Sequence, residues 1–315
     1  MRALLLGQGF TIRDDYPDPA RARGESIVRV RMAGICGTDL ELARGYMSYR
    51  GVPGHEFVGE VVDTRTSALA GQRVVGEINA ACGRCARCLE GLGRHCPNRT
   101  VLGILGRDGA FAEYLRLPDE NLIVLPDSIS DELGVFVEPM AAIYEIFEQT
   151  GLRRDHKIAV LGDGRLGALA ALVLRAEDYA AVLAGRHRDK LDRLAALGLE
   201  VQLEDRLDPG FDVVVDCTGR SAGLNRALAL VRPRGTVILK STAAAGAPLN
   251  LSRAVVDEIT IVGSRCGRFA PAIAALASGK VDPRPLVSSV FALDDAPAAF
   301  AAAERPPNFK VLLKP

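Results

Sequence analysis

The stretch Lys157-Ile-Ala-Val-Leu-Gly-Asp-Gly-Arg-Leu-Gly167 decides the fold of this chain. Residues 157–161 form an almost continuous apolar run, which is typical of a strand buried on both faces of a parallel sheet. The glycines follow the pattern G-x-G-x-x-G, and residues 166–175 continue with the apolar spacing of a helix. A strand, a glycine turn and a helix in this order predict a βαβ unit that binds a dinucleotide.

Each glycine of this turn has a separate expected role. Gly162 permits the tight turn, Gly164 lets the backbone approach a pyrophosphate, and Gly167 lets helix and strand pack closely. The free N–H groups at the start of the helix then face the anion. A glycine-rich turn without a ligand is the alternative, and the flanking strand and helix disfavour it.

The sequence around the turn alternates between strand-like and helical segments. This alternation predicts a doubly wound parallel sheet. The expected strands cover residues 180–184, 213–216, 236–239 and 260–262, and the expected helices cover residues 188–197, 222–230 and 271–278.

The residues before about position 128 have a different pattern, that of short strands and turns. Residues 26–32 alternate apolar and polar side chains, as a half-buried strand does, and glycine and proline interrupt the chain often. The tail is again strand-like at residues 287–293 and 309–313. We therefore expect a mainly-β domain of residues 1–127 and 287–315, with a dinucleotide-binding domain of residues 128–286 inserted in it.

The end of the second strand of the sheet bears on cofactor choice. NAD sites usually carry an acidic residue about 20 positions after the turn, where it binds the ribose 2′-hydroxyl. This chain has Gly185 there, followed by Arg186 and, two residues later, Arg188. Guanidinium groups pair well with phosphate, so NADP is the expected cofactor. The alternative is that both arginines are solvated and NAD is used.

Four cysteines lie close together at positions 82, 85, 88 and 96, within a lobe of about residues 80–100. Two C-x2-C steps and a fourth thiol nearby are the ligand pattern of a structural zinc site. The total of seven cysteines is odd, which argues against a disulfide framework and for a reducing, cytoplasmic location. The predicted ligands of this zinc are Cys82, Cys85, Cys88 and Cys96.

A second group of potential ligands is spread along the chain. Cys36 and His55 are donors that zinc accepts together, Glu56 is adjacent to His55, and Glu138 stands where the helical region begins. A catalytic zinc needs about three protein ligands and one open position. The order of these residues predicts a metal site in the cleft, beside the nicotinamide end of the dinucleotide.

Composition excludes some classes of partner. The 39 basic and 39 acidic residues give no net charge, which argues against nucleic acid and acidic membrane surfaces. No segment approaches the roughly 20 apolar residues of a membrane-spanning helix. Neither nucleic acid nor a membrane is therefore an expected partner.

Taken together, these motifs resemble the zinc-dependent medium-chain dehydrogenase/reductase family. The similarity extends over essentially the whole chain and is closest to the polyol, sugar and threonine dehydrogenase-like branches. It is carried, in the family order, by Gly34-Ile-Cys36-Gly-Thr38-Asp39, Pro53-Gly-His55-Glu56, the four cysteines, Gly109-Ala-Phe-Ala-Glu-Tyr114, Val137-Glu138-Pro139 and the glycine turn.

The resemblance implies an α/β fold with a GroES-like catalytic domain and a Rossmann domain. It implies reversible oxidation of a secondary alcohol, polyol or related polar alcohol by hydride transfer to NADP or NAD, with two zinc ions per chain. A homo-oligomer, dimer or tetramer, is also implied. A zinc-independent enone or quinone reductase and a non-catalytic dinucleotide-binding protein are the alternatives.

Site residues follow by the same resemblance. Cys36 and His55 are implied as catalytic zinc ligands, completed by Glu56, Glu138 or both. Thr38 is implied as a proton relay that continues through Glu41, where many members have histidine. The implied cofactor contacts are Gly162, Gly164, Arg165, Leu166, Gly167, Arg186, Arg188, Thr218 and Lys310. The chain is short for the family at 315 residues, so the loops that shape the substrate site are expected to be trimmed.

Overall fold

A computed structural model describes residues 1–7, 9–220, 222–240 and 249–315 of the chain. Within these residues the structure contains one mainly antiparallel and one parallel main sheet, as the strand patterns of the sequence predict. No helix in the described ranges has both the length and the apolar character needed to cross a membrane.

Short strands dominate the chain before residue 128. The strand β3 shows why they form here: Val28 and Val30 are buried, whereas Arg29 and Arg31 face solvent, so one face of the strand covers the core. The strands are β1 (Ala3–Leu6), β2 (Phe10–Arg13), β3 (Glu25–Gly34), β4 (Glu56–Asp63), β5 (Arg73–Gly76), β6 (Asn79–Ala80), β7 (Thr100–Leu102), β8 (Gly106–Arg107), β9 (Tyr114–Pro118) and β10 (Leu122–Val124), with helices α1 (Gly37–Ala43) and α2 (Ala86–Leu89).

Strands and helices alternate in the next part of the chain. The strands are β11 (Ile158–Leu161), β12 (Ala181–Gly185), β13 (Glu200–Leu203), β14 (Phe211–Asp216), β15 (Val231–Leu239) and β16 (Thr260–Gly263). The helices are α3 (Asp131–Gly134), α4 (Val137–Gln149), α5 (Arg165–Ala176), α6 (Arg188–Ala196), α7 (Gly223–Leu230), α8 (Ser252–Val256) and α9 (Phe269–Ala277).

The six strands of this part form one parallel sheet in the order β13-β12-β11-β14-β15-β16. This order confirms the predicted doubly wound fold. The direction of winding reverses between β11 and β14, whose carboxyl ends are followed by Gly162 and Cys217. Ligands of open parallel sheets bind at such a switch point, so this edge is where a dinucleotide is expected.

The C-terminal tail returns to the first sheet. It contains β17 (Val287–Ala292), α10 (Ala296–Glu304) and β18 (Lys310–Lys314). The strand β18 pairs with β3 through Leu312 opposite Gly34 and Leu313 opposite Ala33. The tail therefore shares a sheet with residues before position 128, and the division at residues 127 and 287 stays a prediction.

One apolar core joins the two sheets. The helix α4 contributes Met140, Ile143 and Ile146, which are fully buried among residues of the parallel sheet and its helices. Val58 of β4 and Val75 of β5 belong to the same cluster. Since α4 begins with Val137 and Glu138, this packing fixes the predicted ligand Glu138 between the two sheets.

Candidate active site

Cys36, His55 and Glu56 come together where β3 and β4 meet. Gly34, near the end of β3, pairs with Glu56 at the start of β4, so the residues just beyond these positions are neighbours. One ligand atom from each of Cys36, His55 and Glu56 lies within 4.8 Å of the others. His55 and Glu56 are buried, with 3% and 1% of their surface exposed. The structure thus brings together three of the four predicted catalytic ligands.

Asp39 holds the two ligand loops in place. Its carboxylate accepts hydrogen bonds from the backbone N–H of Cys36 at 2.8 Å and of Gly54 at 3.3 Å, and it is fully buried. The His55 Nδ1 atom faces Asp39 Oδ1 at 3.4 Å, which is long for a hydrogen bond, and it is buried with no closer partner. Asp39 therefore orients both ligand residues without being grouped with them.

The pKa of His55 reports the electrostatic field at this point. Burial acts to lower it, but the charges of Asp39 and Cys36 outweigh burial and raise the pKa well above its usual value. The negative charges of Asp39 and Cys36 around this buried imidazole are ones that a divalent cation would also neutralise.

Lys310 and Glu138 lie around this cluster. The Lys310 ammonium group donates to the Glu56 carboxylate, and 3% of the lysine is exposed. Glu138 is half-buried and stands outside the group of three. Burial, together with the nearby carboxylates of Glu56 and Glu77, raises the pKa of Glu138 to about 7, although the charge of His55 opposes this.

The two predicted relay residues lie on α1. Thr38 is half-buried, and its hydroxyl lies 3.8 Å from the Cys36 sulfur. Glu41 is one turn further on and pairs with Arg44 at 2.6 Å. Thr38 is therefore next to a residue of the metal cluster, and the Glu41 carboxylate is engaged by a guanidinium.

The glycine turn has the shape that a pyrophosphate needs. A Cβ on Gly167 would lie 1.9 Å from the Gly162 carbonyl oxygen, so no larger residue fits there. By contrast, a Cβ on Gly164 would meet nothing within 4 Å, which leaves open space at the start of α5. Arg165 and Leu166, the first residues of α5, are half-buried. The turn is thus tight at its base and open at its mouth.

Other predicted cofactor residues surround this edge of the sheet. Thr218 follows β14, and its backbone N–H donates to Asp216 at 2.9 Å. Arg186 and Arg188 are exposed, and within the described ranges their guanidinium groups form no ion pair. Lys310 differs from these arginines, because its ammonium group forms an ion pair with Glu56 of the metal cluster.

The four cysteines of the lobe converge. Their ligand atoms all lie within 4.8 Å of one another, and none forms a disulfide. The Cys85 sulfur lies 3.5 Å from that of Cys88 and 3.7 Å from that of Cys96. Backbone N–H groups of Arg84 and Cys85 lower the pKa of Cys82 to about 6, whereas burial and the neighbouring thiols raise the pKa of Cys88 to about 12, so the four sulfurs differ in their tendency to form the thiolate.

Sequence reasoning missed the residue that attaches this lobe to the parallel sheet. Arg94 donates to Glu145 on α4 at 2.8 Å and also to the Cys266 carbonyl. Arg265 in turn donates to the Arg94 carbonyl at 2.7 Å. An arginine two residues before a cysteine gives no sequence signal for such a contact, because its partners are 51 and 172 positions away.

A second residue that the sequence reasoning missed is Asp163, inside the glycine turn. Its carboxylate reaches the end of β12 and accepts from the backbone N–H of Arg186 and of His187, both at 2.7 Å. An acidic residue between the first two glycines was the available signal, and only the fold shows what it contacts.

Comparison with known proteins agrees with this arrangement. Residues 22–127 match the family model described as the alcohol dehydrogenase GroES-like domain, and residues 166–278 match that of the zinc-binding dehydrogenases. The L-threonine 3-dehydrogenase of Streptomyces coelicolor is 31% identical over 95% of this chain and 94% of its own length. The sorbitol dehydrogenase of Halalkalibacterium halodurans is 28% identical over 100% of this chain and 99% of its own.

A solved structure shows the same fold. The alcohol dehydrogenase TADH from Thermus sp. ATN1 is 30% identical, with a TM-score of 0.88 over 100% of this chain and 99% of that one. Its similarity therefore extends over both main sheets.

Proposed function

The chain belongs to the zinc-dependent medium-chain dehydrogenase/reductase family, and from that premise we propose that it oxidises a polar secondary alcohol or polyol reversibly, with Cys36, His55 and the glycine turn at its centre. The family prediction made from the motifs is confirmed, as is the combination of a GroES-like and a Rossmann domain. The enzyme acts on alcohol CH–OH groups with a nicotinamide cofactor.

The observation that carries the proposal is the convergence of Cys36, His55 and Glu56 within 4.8 Å. A sulfur, an imidazole and a carboxylate in a buried cluster suit zinc, and the negative field that raises the pKa of His55 supports a cation there. The Nδ1 atom of His55 faces Asp39, which leaves Nε2 to coordinate. When bound, the zinc ion would polarise the hydroxyl oxygen of the substrate.

Two carboxylates compete for the remaining ligand position. Glu56 lies within the cluster but is held by Lys310, whereas Glu138 lies outside the cluster and is free of an ion pair among the described residues. We propose that Glu56 completes the ligand set, and that Glu138 does not bind the zinc ion directly but influences the site through its charge. Glu56→Gln should then lower the zinc content of the site more than Glu138→Gln does.

The glycine turn fits the pyrophosphate of a dinucleotide. Gly164 leaves open space at the start of α5, where free N–H groups bind an anion. The nicotinamide, when bound, accepts the hydride. We propose that Arg186, with Arg188, favours NADP over NAD, because both guanidinium groups are exposed beside Gly185.

Thr38 is the residue that we propose moves the proton. Its hydroxyl is close to the Cys36 sulfur and half-buried, so it borders both the ligands and the cleft. Glu41 lies one turn away with its charge paired to Arg44, and we propose that it receives the proton near solvent.

Metal content and turnover test the proposal together. We expect ~2 zinc ions per chain by mass spectrometry, and NADP-linked oxidation within a panel of polyols, sugars, secondary alcohols and amino alcohols. Cys36→Ser should abolish turnover and remove one zinc while the protein stays folded. Cys85→Ser, the matched control, should remove the other zinc. Full activity of the Cys36→Ser protein would contradict the proposal.

The remaining assignments are proposals of the same kind. A homo-oligomer is proposed from the resemblance and is checked by light scattering of the purified protein. A cytoplasmic location is proposed from the unpaired cysteines and is checked by cell fractionation.

A further inference from the structure

The side chain of Asp163 connects the glycine turn to the strand that precedes the ribose site. It projects from the turn after β11 to the end of β12, where its Oδ2 atom accepts the backbone N–H groups of Arg186 and His187, both at 2.7 Å. Both carboxylate oxygens also lie 3.0 Å from His187 Nδ1. With 6% of its surface exposed, Asp163 is a built part of the site rather than a surface charge.

Asp163 and Gly185 are matched in shape. A Cβ added to Gly185 would lie 2.4 Å from both the Cβ and the Oδ2 atom of Asp163, which is far inside contact distance. The carboxylate of Asp163 therefore fills the space in which a side chain of residue 185 would begin. The glycine at position 185 thus does not remove negative charge from this point, because residue 163 supplies it from the turn after the neighbouring strand β11.

Asp163 is ionised, and hydrogen-bond donors around it stabilise its negative charge. Burial acts to raise the pKa of Asp163, yet the hydrogen bonds from His187 and from the Arg186 backbone outweigh burial and lower it, so the group is ionised near neutral pH. An ionised carboxylate only accepts hydrogen bonds, so His187 must donate from Nδ1. Lys190 also lies nearby, and it is 7% exposed.

We propose that Asp163 limits the preference for NADP over NAD, by presenting a carboxylate where an acidic side chain of residue 185 would stand and by occupying two backbone N–H groups. The inference rests on the proposed dinucleotide site. Arg186 attracts a 2′-phosphate, and Asp163 limits that attraction. His187 weakens the repulsion between Asp163 and a 2′-phosphate, because its Nδ1–H donates to the carboxylate.

The direction of the effect follows from the charges. A 2′-phosphate near the end of β12 meets the negative charge of Asp163 and finds the N–H groups of residues 186 and 187 already bonded. Asp163→Asn removes the charge and keeps an oxygen that can accept the same N–H bonds. It should therefore strengthen NADP binding while leaving NAD binding nearly unchanged.

Calorimetric titration of the zinc-loaded protein tests this without turnover. We expect Asp163→Asn to raise the ratio Kd(NAD)/Kd(NADP) by about tenfold at low salt and by less at high salt. Adenosine 2′,5′-bisphosphate and 5′-AMP, which differ only by the 2′-phosphate, should show the same shift. Asp212→Asn is the matched control: this carboxylate accepts the Lys157 N–H at 2.7 Å at the other end of the sheet, so its loss should not change the ratio.

A second variant has the opposite expected sign. His187→Ala takes a donor away from the carboxylate and should lower the same ratio, and the effect should vanish when it is combined with Asp163→Asn. If His187→Ala lowers the ratio equally in both backgrounds, His187 contacts the phosphate itself and the inference is wrong. If Asp163→Asn does not fold, an unchanged ratio in His187→Ala overturns it.

These outcomes are distinct from failure of the proposed function. A wild-type protein that binds neither dinucleotide contradicts the proposed function. A wild-type protein that binds both, with equal losses or no change in the Asp163→Asn variant, leaves the proposed function standing and overturns the role of Asp163.

Discussion

The ammonium group of Lys310 is bonded to the carboxylate of Glu56, 254 positions earlier in the chain, and only 3% and 1% of these side chains are exposed. The bond joins β18, in the C-terminal tail, to the first residue of β4. It lies directly beside His55, so the tail helps to hold the candidate metal cluster. Breaking a buried pair leaves one charge without compensation, which costs more than the pair itself contributes.

Replacing Lys310 by methionine should therefore destabilise the protein strongly. We expect the free energy of unfolding of the zinc-free protein, measured in urea, to fall by about 3–5 kcal/mol, since no cation then compensates the Glu56 carboxylate. Adding Glu56→Leu should recover part of the loss, since the uncompensated carboxylate is gone. Lys314→Met, at an exposed position of the same strand, is the control and should change stability by less than ~0.5 kcal/mol. Equal effects of the two lysine variants would show that the buried pair does not matter.

The cofactor preference can be reversed at Arg186. Its guanidinium is exposed and forms no ion pair within the described ranges, so Arg186→Asp exchanges an attractive charge for a repulsive one beside Gly185. We expect the ratio of kcat/KM for NADP to that for NAD to fall by about 100-fold. Arg154→Asp, in the loop that precedes β11, should leave the ratio unchanged. A constant ratio in Arg186→Asp would mean that the arginine is only solvated.

Thr38 offers a test of the proton path. Thr38→Ala removes the hydroxyl near the Cys36 sulfur and should lower kcat by about 10²–10⁴-fold, the usual contribution of a positioned proton-transfer group. Thr38→Ser keeps the hydroxyl and should restore most of the rate. Zinc content and the Kd for NADP should not change in either variant. If serine and alanine are equally slow, Thr38 acts through packing and not through its proton.

Much of the fold follows from local sequence patterns. The strand and helix positions of the parallel sheet depend on apolar runs and glycine turns, and the expected strand at residues 213–216 lies inside β14 (Phe211–Asp216). These signals are local because a strand buried on both faces must be apolar throughout. That the tail belongs with the first domain was inferred only from its strand-like sequence, and the structure supplies its pairing with β3.

The candidate site was less accessible to sequence reasoning. Cys36 and His55 could be predicted as ligands because each lies in a motif of a few consecutive residues. The structure brings the two residues together. The partners of Glu56 and Asp163 could not, since Lys310 and Gly185 are distant in the chain and no spacing rule connects them. Gly185 shows the physical reason most clearly. From the sequence alone, this glycine indicates that no carboxylate lies at the end of β12, whereas in the structure the carboxylate of Asp163 occupies the space beside it.

The four-cysteine lobe gives the last prediction, because it is anchored to the parallel sheet through Arg94. Cys85→Ser removes one thiolate ligand and should reduce the zinc content by one ion per chain. Metal binding to such a site contributes directly to folding, so we expect a lower Tm and faster proteolysis between residues 82 and 96.

The second half of that prediction concerns the cofactor. The glycine turn shares no hydrogen bond with the lobe among the described residues, so the Kd for NADP should stay within about twofold in Cys85→Ser. Arg94→Met should reproduce the faster proteolysis while keeping both zinc ions, because it removes the bonds to Glu145 and Cys266 and no ligand. If Arg94→Met loses zinc as Cys85→Ser does, zinc binding depends on the contacts of Arg94, and the lobe cannot detach with its zinc bound.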